Sequence, residues 1–186
     1  MKGKMLAVII SAFILTSVGI SSTLGSTQDK VPLEKLAKEF VLFEQTFGVF
    51  PLDKIDKSDI DDAAIQGMIN SQLHRAEHFS KPGSAFYQKL SNLISNALVS
   101  QKSRYIRTFD GGVSNVNITS TQINGNSANI DFSYVAHATF AQWQTDHWVK
   151  ASPSNEIIEH LDFEKDVSGG WNIVNEQWKF APGSTP

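Results

Sequence analysis

The segment LHRAEHF places His74, Glu77 and His78 in the order H-x-x-E-H. Two imidazoles one helical turn apart can chelate a zinc ion, and a neighbouring glutamate can activate the water bound to it. The surrounding pattern argues against that use. Ile65, Met68, Ile69, Leu73, Ala76 and Phe79 form one apolar helical stripe. At about 100° per residue, His74 and His78 fall roughly 160° from its centre. They belong to a solvated face, where the spacing supports an adventitious metal contact but no desolvated catalytic ion. No metal site and no cofactor are expected.

A second set, Asp131, His137, His160 and Asp162, lies in stretches with a period of two. Between Ala128 and Trp143 the even positions Ile130, Phe132, Tyr134, Ala136, Ala138 and Phe140 are apolar, while Asp131 and His137 are odd. In residues 155–165, Ile157, Leu161 and Phe163 alternate with His160, Asp162 and Glu164. A histidine or aspartate beside Tyr134 could move a proton while the phenol steadies an oxyanion. The alternation puts all four groups on the polar faces and leaves the apolar interior almost without bases. Only a bulge near Ala136 to Thr139 would turn one inward. No nucleophile elbow or phosphate loop occurs.

The elements that would carry these residues fall into a helical half and a strand half. Leu33, Leu36, Phe40, Phe43 and Phe47 recur at spacings of three and four within residues 28–50, ahead of Gly48 and Pro51. A second helix is expected from Ser58, with Asp59, Asp61 and Asp62 at its positive end. A third, Ser84 to Gln101, buries Phe86, Leu90, Leu93, Ile94, Ala97 and Leu98. From Arg104 the period falls to two. Asp110-Gly111-Gly112, Asn124-Gly125-Asn126 and Ser168-Gly169-Gly170 read as turns, the second closing a hairpin. Trp171 and Trp178 differ by an odd number, so a regular strand sends them to opposite faces.

Lys2, Lys4 and the apolar run Met5 to Ile20 read as a secretory signal peptide over residues 1–25, a retained anchor being the alternative. Residues 26–186 suit a single domain. The chain has 16 Lys and Arg against 19 Asp and Glu, two of the lysines in the leader, so the remainder is acidic, 14 against 19. Nucleic acid is excluded as a general partner. Export without any cysteine points to a bacterial, Gram-positive protein.

Helices followed by an antiparallel meander make an α+β domain, with N-terminal helices packed on a curved sheet. The order of elements, with Gly170, Trp171, Ile173 and Trp178 in the ending GGWNIVNEQW, resembles the NTF2-like (cystatin-like) superfamily. Asn172 stands where that ending usually has a basic residue. The resemblance implies a cone-shaped sheet wrapped around a helix and spans about residues 30–180. The strand half is also similar to extracytoplasmic segments beside amidase-type domains in Gram-positive wall proteins.

The resulting expectation is an exported, non-catalytic domain that binds a small apolar ligand or a protein at the cell envelope. Its pocket would be lined by Phe43, Phe47, Phe132, Tyr134, Phe140 and Phe163, with Trp143 and Trp148 at the rim. The alternatives are a small isomerase or dehydratase using Asp131, His137, His160 or Asp162, and a structural domain that dimerises through its outer sheet face.

Overall fold

The computed structural model describes residues 27–184, so the expected signal peptide lies outside the described residues. Three helices, α1 (Thr27–Thr46), α2 (Asp62–Ala76) and α3 (Ala85–Val99), precede five strands. The strands are β1 (Ile106–Asn124), β2 (Ser127–Gln144), β3 (His147–Ala151), β4 (Ser154–Lys165) and β5 (Trp171–Phe180). The architecture is α+β: the helices pack on an antiparallel sheet of order β1-β2-β4-β5, with β3 also paired to β2. The sheet is not closed: β1 and β5 form its two edges. No helix among the described residues is long and apolar enough to cross a membrane.

α1 turns Leu33, Ala37, Phe40 and Val41 onto the sheet, and all four are buried. α2 starts later than its sequence suggests. Its cap is Asp61, whose carboxylate accepts from the Ala64 amide at 2.7 Å. Ser58 instead accepts from the Arg104 amide at 3.0 Å, which holds the preceding segment extended. An aspartate cap satisfies the free amide as serine would and adds a favourable charge at the positive helix end. α3 is capped by Ser84 and buries Phe86, Leu90, Ile94 and Leu98, but Leu93 is exposed.

β2 organises the sheet. One edge pairs with β1 along its whole length, and the other is shared by β4 against Ser127–His137 and β3 against Phe140–Gln144. Asn124 and Ser127 close the expected hairpin around Gly125, at φ +63°.

Gly111 and Gly112 are not a turn. They lie inside β1, opposite Ala138 and His137, just past one of three register shifts between β1 and β2. Their constraint comes from neighbours rather than from turn geometry. A Cβ on Gly111 would collide with the backbone carbonyl of Gln45 in α1. One on Gly112 would fall 2.8 Å from the His137 ring. The bare backbone at Gly111 is what lets α1 lie directly on β1.

A second irregularity corrects the reading of the tryptophans. β5 pairs Asn175 with Asp162 but Ile173 with Phe163, so one residue is bulged out. The slip cancels the odd spacing. Trp171 and Trp178 both pack against the core, beside Ile173 and Phe180. The Ile173 amide donates to the Phe79 carbonyl at 2.8 Å, stitching the end of α2 to β5.

At the far end of β2 the buried parity changes from Phe132 and Tyr134 to Ala141, because the segment after α1 covers the opposite face there. Arg107, fully buried, donates to the carbonyls of Lys54, Lys57 and Lys102 at 3.0–3.4 Å and stacks 4.1 Å from the Phe50 ring centre. Gln101 joins the same corner, accepting from the Thr108 amide and donating to the carbonyl of Gly48.

Gly111→Ala is expected to destabilise by about 2–3 kcal/mol, because only backbone can yield at the contact. Gly112→Ala is expected to cost under about 1 kcal/mol, because His137 is exposed and can swing away. Urea unfolding of both variants checks the contrast, and equal losses would contradict this account of the α1–β1 contact.

Candidate functional site

The interior is not without acids. Glu44, Glu159 and Glu176 each bring a carboxylate oxygen to within 4.8 Å of the others, between α1, β4 and β5. Each arrives by a different route. Glu159 shares the parity of Ile157, Leu161 and Phe163, and β4 carries it inward. Glu176 faces inward opposite Leu161, on the far side of the bulge from Ile173. Glu44 follows Leu33, Ala37 and Phe40 along the sheet-facing stripe of α1.

The three groups are unequally solvated. Glu159 is 1% exposed, and the Tyr134 hydroxyl donates to its Oε2 at 2.8 Å. Its Oε1 is buried without a partner. Glu176 is buried too, and Lys89 of α3 donates to its Oε2 at 3.1 Å from a half-exposed side chain. Glu44 keeps part of its surface in solvent.

Burial removes the water that would stabilise these charges, and mutual repulsion adds to the cost. Burial first and the Glu176 charge second push Glu159 up to about 8, against the opposing pull of Tyr134 and Lys89. Burial, then the charges of Glu176 and Glu159, hold Glu44 well above the usual carboxylate range. Burial and the field of Glu159 raise Tyr134 as well, so it stays a neutral donor. The cluster can store protons, or it can hold a cation in their place.

The groups singled out on the strands lie elsewhere. Asp131, His160 and Asp162 meet on the outer sheet face: His160 Nδ1 is 2.7 Å from Asp131 and Nε2 is 3.0 Å from Asp162. Partial burial pulls the imidazole down, but its bond to Asp131 and the charge of Asp162 outweigh that and raise it. His137 is exposed. No bulge turns these residues inward, since the β1–β2 register advances by the extra residue on β1 each time. His74 and His78 face different carboxylates, Glu77 at 3.3 Å and Glu39 at 3.2 Å, and both are exposed.

The eight expected pocket residues are divided. Phe43, Phe132, Tyr134 and Phe163 are buried in one packed core, with Phe47 against it. Phe140 is exposed at the far end of β2. Trp143 and Trp148 stack on each other there, 5.2 Å between ring centres, with Arg104 3.7 Å above Trp143 and Asp56 bonded to the Trp148 indole. Two surface clefts run along the outer side of α1 and at the β1–β2 hairpin, and of the eight only Phe163 borders either.

No family model and no curated protein matches the sequence. Similar solved structures include the intermembrane space region of the chloroplast protein ARC6, at 8% identity and TM-score 0.46, covering 86% of this chain and all of that one. A periplasmic fragment of TraM shares 12% identity at TM-score 0.45, covering 82% and 98%. An NTF2-like superfamily protein from Salmonella enterica serovar Typhimurium shares 12% at TM-score 0.43, covering 83% and 97%. The likeness is one of fold.

A carboxyl whose proton is held more tightly when folded favours folding at low pH and loses that contribution as pH rises. For Glu159 the window runs from its ordinary value near 4.5 to about 8. Stability is therefore expected to fall across that range. Glu159→Gln, which keeps the shape without the charge, is expected to flatten the profile and to be more stable than the native chain at pH 8 by on the order of 1–3 kcal/mol. Urea midpoints at pH 5 and pH 8, in chelator-containing buffer, check this; a Gln variant less stable at pH 8 would contradict it.

Proposed function

We propose that this chain is an extracytoplasmic, non-catalytic NTF2-like module that binds a protein partner through the far end of its sheet. One observation carries the reading. Beyond the reach of the helices, Ile106, Phe140 and Val149 remain 38%, 39% and 42% exposed on one face of the β1–β2–β3 end. The register places Ile106, Gln142 and Val149 in one cross-strand row and Thr108, Phe140 and Ala151 in the next, so the apolar groups are contiguous. Exposed Tyr105 adjoins them in β1's approach.

The reverse side of the same end is braced. Trp143, Trp148 and Phe109 stack edge to face under Arg104 and Lys150, and the Trp148 indole is anchored to Asp56. A rigid aromatic backing under a contiguous apolar row suits a preorganised docking surface. The interior supports a small-ligand pocket less well, because its phenylalanines already occupy the space between α1 and the sheet. An acid–base enzyme would have to work through Glu159 and Tyr134, which border neither surface cleft. The extracytoplasmic setting rests on the leader-like residues 1–25.

A photo-reactive phenylalanine analogue at Val149 tests the reading in the native cell, with the same probe at exposed Leu52 as control. A discrete adduct from Val149 alone is expected, and its mass separates a second copy of this chain from another protein. Identical patterns from both sites would sink the proposal. Phe140→Asp is expected to reduce the adduct at least about tenfold while leaving the fold intact, as loss of a central apolar anchor should.

A further inference from the structure

We propose that Glu44, Glu159 and Glu176 form a binding site for a divalent cation of calcium size. Three oxygens no more than 4.8 Å apart share a common centre at most about 2.8 Å away, so a few tenths of an ångström of contraction reach the 2.3–2.6 Å of calcium–oxygen bonds. Magnesium would need a larger contraction, to about 2.0–2.1 Å, in a nearly rigid octahedron. The donor set is all oxygen, with no cysteine in the chain and no histidine among the three, which disfavours zinc and copper.

Two further observations distinguish this cluster from acidic groups gathered on a surface. Glu159 is almost completely buried, Tyr134 occupies its Oε2, and its Oε1 has no partner. A lone pair withdrawn from water and left unpaired is the position a cation would fill. Charge points the same way. Three carboxylates meet one ammonium, Lys89, which bonds only Glu176 among them, leaving two negative charges when all are ionised. A divalent ion neutralises that excess. Tyr134 acts as a positioning residue, fixing the plane of the Glu159 carboxylate. Glu44 and Lys89 are the members of the cluster that keep part of their surface in solvent.

Isothermal titration of the purified chain with calcium chloride, after chelator treatment, tests the assignment. One saturable site is expected, with a dissociation constant between about 10 µM and 1 mM and magnesium at least about tenfold weaker. Glu44→Gln, at the most solvated position of the three, is expected to weaken calcium at least about tenfold with an unchanged circular dichroism spectrum. Should that variant unfold, Glu159→Gln serves instead. Asp131→Asn on the outer face is expected to leave affinity unchanged. No saturable calcium binding up to about 10 mM, beyond the weakest sites of this class, would overturn the proposal. So would native affinity in Glu44→Gln, or loss of binding in Asp131→Asn.

Discussion

A carboxylate taken out of water must keep a proton or meet a cation, and that constraint governs the centre of this molecule. Glu159 sits under α1 with one hydrogen-bond partner and an idle oxygen, and Glu176 beside it has one lysine. Neither could be held there by an element that drifted. The geometry depends on α1 lying hard against β1 at Gly111, on the bulge in β5, and on α3 presenting Lys89. Replacing the trio with hydrocarbon would make folding easier, because a buried ionic group rarely outperforms a well-packed apolar one. Its presence is a cost that the rest of the core offsets, and such a cost calls for a use.

Most of the fold was legible because it follows from periodicity. The helical stripes of α1, α2 and α3 and the alternation of β2 and β4 are local patterns, and burial follows them. The glycines and the tryptophans depart from it for one cause, a tertiary contact acting on a local rule. Gly111 and Gly112 carry the composition of a turn, yet what they answer to is the carbonyl of Gln45 and the ring of His137, both distant in sequence. Trp171 and Trp178 have the parity of opposite faces, and one bulged residue brings them together.

The acidic site was partly legible. Glu159 has the same parity as Ile157, Leu161 and Phe163, so a charged residue on the apolar side of β4 was in plain view. Glu44 stands four residues after Phe40 on the aromatic stripe of α1. His160 and Asp162 carry the residue types that announce chemistry, but their parity places them outside. Glu176 could not have been joined to the others from the sequence, because its inward position relative to Trp171 and Ile173 depends on the bulge. Parity was the better guide than residue type.

The two ends of β2 divide the molecule's work. Tyr134 and Trp143 are nine residues apart, at most roughly 30 Å along the strand, and the face that is buried changes between them. Around Tyr134 the helices cover the sheet and the problem is buried charge. Around Phe140 that same face is bare, and the problem is apolar surface left in water. The segment after α1 links the ends: it leaves the helix that carries Glu44, bonds Phe50 to the Thr108 carbonyl, and wraps Arg107 behind the aromatic stack. Both ends therefore rest on the chain that runs through α1, one through Glu44 itself and the other through Phe50, Arg107 and Asp56 just beyond it.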